Sequence, residues 1–211
     1  MNIKMLIPLI VVFLIGGAFS LFERSGRFHA RTVAIIATTS ALAGAFRIPF
    51  AFLPNVQPTT FIIMCAGYVF GPMSGFISGV IATLVSNTFL GHGPWTLWQM
   101  IAWGLAGAFG GVLGKLSRKY NRLGFTLMLF IWGFLFDYIM NLWHFIYFIY
   151  PHSLKSFVAL YAASFFFDLS HGVGNAIFAW LFGEDLIRIL KRFKLKTTIE
   201  DKDFERTFGY E

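Results

Sequence analysis

Two short spacings hold most of the chemistry open to this chain. Asp137, Asn141 and His144 stand at i, i+4 and i+7, and Asp168, His171 and Asn175 at i, i+3 and i+7. Each triplet therefore lines one face of a helix. Carboxylates, imidazoles and amides so placed can bind a polar solute, pass a proton or hold one another. Arg47 is the third charge set inside a long apolar run. On insertion scales such a charge costs about 2.5–3.5 kcal/mol, so it marks a site or a paired network. Two arrangements fit: a polar cavity opening toward the outside, or an internal hydrogen-bond network with Arg47 neutralised by Asp137 or Asp168. They overlap, since a network can line a cavity.

Other chemistries fit less well. Two His and two Asp could converge on a metal, but their spacing matches no compact metal motif, and no metal is expected. Ser170 precedes His171 directly, which puts the two side chains on different helical faces, and neither GxSxG nor HExxH occurs. A membrane enzyme acting on lipid would thus lack a paired nucleophile. A self-sufficient, proton-coupled carrier remains conceivable, with Asp137 and Asp168 as its titrating groups.

Two connections add binding chemistry. In PNVQPTT, two prolines fix the backbone around the amides of Asn55 and Gln57. In GHGPWTLWQM, Trp95, Trp98 and Gln99 follow His92 and a rigid Gly-Pro turn, with Trp103 one turn further. Each Trp alone reads as an interfacial anchor. Together they make a wall for a large, flat, amide-rich ligand.

The elements that must carry these residues follow from hydropathy. Of the 211 residues, 57% are hydrophobic and 13% charged, against roughly 45–50% and 25% in soluble domains. That excess excludes a soluble enzyme, a disordered chain and a secreted disulfide scaffold; Cys65 stands alone. The fold class expected is an all-α, polytopic membrane helix bundle. Apolar segments fall at roughly 4–22, 32–53, 59–70, 73–90, 96–114, 123–150 and 155–187. The third is short, a brief helix or half of a re-entrant pair with the fourth. Three units follow: 1–30, an N-terminal transmembrane helix and basic loop; 31–190, a six-helix membrane domain; 191–211, a polar cytoplasmic tail, solvated from Thr197.

Basic residues set the orientation. Arg24, Arg27 and Arg31, then Lys115, Arg118, Lys119 and Arg122, then Arg188, Lys191, Arg192, Lys194, Lys196, Lys202 and Arg206 hold 14 of the 17 Lys and Arg. All three clusters share a side when the segments alternate, which predicts the N-terminus outside and the C-terminus in the cytoplasm. Clustering at segment ends also argues against nucleic acid as a partner. The first segment could be a cleaved signal peptide, with Lys4 as n-region and Ala18-Phe19-Ser20 near the cleavage site; the N-out orientation argues for retention.

Small residues recur every fourth position: Ala37, Ala41 and Ala45; Gly71, Gly75 and Gly79; Gly107 and Gly111; Gly110 and Gly114. The glycine stripes predict packing within the chain. For the alanine stripe, nothing in its own sequence tells whether the partner is inside or outside the chain, and spacing alone favours internal packing over a docking surface.

The alanine stripe, PNVQPTTFIIMCAGYVFGPMSGFISG and GPWTLWQMIAWGLAG together resemble substrate-binding S components of energy-coupling factor (ECF) vitamin transporters, over roughly residues 30–190. The resemblance implies a six-helix bundle, here with one extra N-terminal helix, in the bacterial plasma membrane. It implies capture of a vitamin from outside and docking, through Ala37, Ala41 and Ala45, on a transmembrane T component with two separate cytoplasmic ATPases. This chain has no Walker A motif of its own, in keeping with that. Substrate contacts are implied for the two connections, with Asn55, Gln57, Thr59, Trp95, Trp98 and Gln99, and for the last two segments, with Asp137, Asn141, His144, Asp168 and His171; Arg47, as a charge inside a segment, and Trp103, one turn past Gln99, are added on their own chemistry. The GPWTLWQM stretch most resembles members assigned to cobalamin, whose flat face and amide fringe suit Trp, Asn and Gln. Other vitamins and precursors stay open. No resident cofactor is implied.

Overall fold

The structure, a computed structural model, describes Gly17 and residues 30–117 and 119–208, the side chains of residues 30 and 200–208 aside. Apart from Gly17, the expected segment 4–22 lies outside the described residues, as do Arg24, Arg27 and Arg118. Six α-helices follow in order: α1 Ala30–Ala45, α2 Thr59–Phe70, α3 Pro72–Leu90, α4 Trp95–Leu116, α5 Arg122–Phe148 and α6 Leu154–Phe208. A short 3₁₀ turn, Ile48–Phe50, follows α1. No strand occurs among the described residues. Five stretches, Arg31–Phe50, Pro72–Leu90, Trp95–Leu116, Arg122–Phe148 and Leu154–Ile199, are long and apolar enough to cross a bilayer.

The short helix α2 is the axis of the bundle. Its 12 residues are all buried, and it touches the other five helices. At 1.5 Å per residue it rises about 18 Å, well short of a ~30 Å hydrocarbon core. The irregular backbone ahead of α2 also lies inside the bundle, with Gln57 and Pro58 buried. Such backbone is tolerated at membrane depth because protein, not lipid, surrounds it.

Gly71, at φ 99°, ends α2, and Pro72 starts α3 immediately. Only glycine takes that φ without strain, so the two helices fold into a tight hairpin. Across it, α4 lies against both. A Cβ on Gly67 would strike the Gly107 carbonyl, and a Cβ on Gly75 or Gly107 would strike the other's backbone. Gly110 meets Met64, Gly111 meets Gly71 and Pro72, and Gly114 meets Tyr68. The glycine stripes are therefore internal seams that let backbones approach where no hydrophobic force separates protein from lipid. Gly44 plays the same part between α1 and α3, against Ala82 and Val85.

The alanine stripe behaves differently. Ala37 and Ala45 are exposed and Ala41 partly so, while Ile36, Ser40, Ala43 and Gly44 on the opposite face are buried. Beside the stripe, α1 and α6 leave an apolar recess of about 830 Å³, walled by Leu42, Phe46, Phe178, Phe182, Leu186 and Phe193 among others.

One end of the bundle is basic. Lys194 Nζ donates to the Val69 carbonyl at 2.6 Å, and Lys191 lies over the Tyr68 ring, so α6 covers the C-terminal end of α2. Arg122 pairs with Glu184 at 3.0 Å. The sequence pattern ended the last span near 187 and left a solvated extension from Thr197. The helix instead runs unbroken to Phe208, because no Gly or Pro interrupts residues 184–208.

Candidate functional site

At the opposite end lie the connections 51–58, 91–94 and 149–153, and beneath them polar side chains of α2 to α6 gather with Arg47, which follows α1. Arg47, two residues past α1, donates from Nε to Gln57 Oε1 at 2.8 Å and from Nη1 to Asn87 Oδ1 at 2.9 Å and Ser86 Oγ at 3.2 Å. Its guanidinium lies 5.0 Å from the centre of the Trp103 ring. Asn87 passes the network on, donating to Gln99 Oε1 at 2.7 Å and Thr96 Oγ1 at 3.1 Å.

Trp103 Nε1 donates to Thr60 Oγ1 at 3.0 Å, and Thr60 Oγ1 lies 2.9 Å from His171 Nε2. The other ring nitrogen, Nδ1, is 2.9 Å from Asp137 Oδ2. Asn55, on the 51–58 connection, donates to the same Asp137 oxygen at 2.8 Å and to the Phe167 carbonyl at 3.2 Å. Asn55 adopts φ 57°, a left-handed conformation that Asn tolerates better than most residues. Its side chain thereby ties the connection to α5 and α6. The His171 and Asp137 side chains are 0% and 6% exposed, so this pair is a dry internal link.

A second, smaller cluster sits between α5 and α6. Ser164 Oγ donates to Asp168 Oδ2 at 2.9 Å, and Asn141 Nδ2 donates to Ser164 Oγ at 2.8 Å and to Asp168 Oδ2 at 3.4 Å. Asp168 Oδ1 is buried with no partner. Above this cluster the aromatic rings of Trp95, Trp143, His144 and Phe148 form a rim, Trp95 and Trp143 meeting edge-on at 6.1 Å.

The two predicted stripes are thus divided rather than merged. On α5, Asp137 enters the inner network, Asn141 the smaller cluster and His144 the rim. On α6, His171 and Asp168 belong to different clusters, and Asn175 reaches the Leu129 carbonyl at 3.4 Å. Thr59 closes α2 onto α1 through the Ala43 carbonyl at 3.0 Å. Trp98 is buried without joining either cluster. Of the two arrangements left open by the sequence, the internal network is realised around Arg47 and His171, with one correction: Arg47 pairs with neither Asp. Asp137 faces His171 and Asn55, and the partners of Arg47 are neutral.

Thr60, Ser86, Asn87, Thr96 and Ser164 escaped the sequence reading. Thr83, Ser86 and Asn87 share a helical face, and Ser164 precedes Asp168 by one turn; polar residues recurring at three and four inside an apolar helix were the available signal. Among the described residues no group of three His, Cys, Asp or Glu could hold a metal.

Comparison with known proteins adds the family. The profile of the ECF-type riboflavin transporter S component family matches residues 28–188. A UPF0397 protein of Vibrio atlanticus is 31% identical over 101 residues, 46% of this chain and 54% of its own length. UPF0397 proteins of Aliivibrio salmonicida and Photobacterium profundum are 28% and 30% identical over 100 and 113 residues, covering 45% and 48% of this chain and 54% and 61% of theirs. The chain therefore spans little more than half the length of these curated relatives. No solved structure matches it significantly.

Proposed function

This chain belongs to the family of ECF-type riboflavin transporter S components, substrate-binding subunits of multi-pass membrane transporters, and from that premise we propose that it captures a vitamin at the non-basic end of its bundle. The observation that carries this reading is the Asn141–Ser164–Asp168 cluster under the aromatic rim, where Asp168 Oδ1 is buried without a partner. A buried acceptor left unmatched costs about 1–3 kcal/mol, and a substrate N–H or O–H would remove that cost. Asn55 and Asn141 add amide groups, and Trp95 and Trp143 add flat apolar surface.

Cobalamin, with its amide fringe, is the substrate we place first, on the resemblance of the GPWTLWQM run. Riboflavin, which the family's description names, is the second reading; its imide N–H is also a donor for Asp168. The exposed Ala37–Ala41–Ala45 stripe is the proposed docking surface for a T component, with two cytoplasmic ATPases driving release. The basic end then faces the cytoplasm and the connections 51–58, 91–94 and 149–153 face outward, in a bacterial plasma membrane.

Calorimetry on the purified chain tests capture. One-to-one binding of cobalamin, weakened by Asp168→Asn, is the expected result. Binding of riboflavin instead would shift the substrate to the second reading. Uptake into liposomes by the chain alone would overturn the ATPase-driven mechanism in favour of a proton-coupled carrier.

A further inference from the structure

We infer that the captured substrate carries an oxyanion, a phosphate or a carboxylate, and that Arg47 receives it. The inference rests on the capture reading above and adds the charge of the ligand. Among the described residues Arg47 is a charge without a counter-charge. Its hydrogen bonds go to Gln57, Ser86 and Asn87, and its π contact to Trp103. None of these is anionic. Both carboxylates at this end are engaged elsewhere, Asp137 with His171 and Asn55 and Asp168 with Ser164 and Asn141.

A guanidinium has five N–H donors in a planar fork. Nε and Nη1 are committed, while Nη2 makes no hydrogen bond among the described residues. Gln57, Ser86, Asn87 and Gln99 around it are buried, yet Arg47 itself is only partly so. The neutral network thus holds the fork rigid and leaves one edge open at the end of the bundle that carries the connections. An uncompensated cation at membrane depth is costly. A ligand oxyanion accepting from Nη2 would supply the missing charge through short, charge-assisted hydrogen bonds.

The test uses matched pairs that differ in a phosphate: cobinamide phosphate against cobinamide, and riboflavin 5′-phosphate against riboflavin, titrated into the full chain in detergent. In the pair that binds, the phosphate-bearing member should bind about tenfold tighter or more. Arg47→Gln should erase that difference, and Arg47→Lys, which keeps the charge, should retain part of it. Equal affinity within the pair for the unaltered protein overturns the inference without touching capture. If neither pair binds, mass spectrometry of the molecule that co-purifies decides: an acidic group supports the inference, and its absence overturns it. Failure of all four ligands together with no co-purifying molecule overturns capture itself, and the inference with it.

Discussion

At the scale of single residues, the aspartates of α5 and α6 differ in how far their hydrogen bonding is satisfied, and one assay separates the roles proposed for them. Asp137 is the sole side-chain acceptor for His171 Nδ1 and accepts from Asn55 as well. Asp137→Ala strands His171 Nδ1 in a dry interior, takes one of two acceptors from Asn55, and should cost about 2–4 kcal/mol of stability. Asp168 is satisfied on one oxygen only. Asp168→Asn removes a buried carboxylate oxygen that nothing accompanies, so thermal stability should hold or rise while ligand affinity falls. Thermal unfolding in detergent, paired with calorimetry, reads both. Equal destabilisation by the two variants would show that Asp168 is a structural residue like Asp137. The polar residues themselves were legible in the sequence because charge inside an apolar run stands out. Their pairing was not, since Arg47 and Asn87 lie 40 positions apart, and Asn55 and Asp137 lie 82 apart.

At the scale of elements, small residues divide into seams and an open stripe. Gly107→Ala puts a methyl into the backbone of Gly75 across the α3–α4 seam. It should lower stability by about 1–3 kcal/mol or more, because backbone cannot turn aside as a side chain can. Ala41→Leu points outward from α1, so stability and ligand binding should stay unchanged while cellular uptake is lost if the stripe is the docking surface. Normal uptake would remove docking from this face. Spacing alone left the two kinds of stripe alike. The register of each helix against its neighbours separates them, and that register depends on the α2–α3 hairpin at Gly71.

At the scale of the whole molecule, the bundle has a basic end and an end of connections, and α2 runs buried between them. The proposed orientation is open to thiol labelling, because the native Cys65 is buried. His92→Cys should react with an impermeant maleimide on intact cells, and Lys196→Cys only after permeabilisation. The reverse pattern would invert the topology. The six helices from Ala30 onward, their approximate bounds short of the C-terminal reach of α6, and the clustering of charge were legible in the sequence itself, since they reflect one-dimensional hydropathy and the cost of placing charge in lipid. Tertiary structure alone decided that α2 is buried along its whole length, that α2 to α6 each give a side chain to the end with the connections, and that Arg47 is surrounded by neutral partners. Those facts depend on which faces meet across the bundle, and packing of non-local surfaces is not written in the periodicity of any single segment.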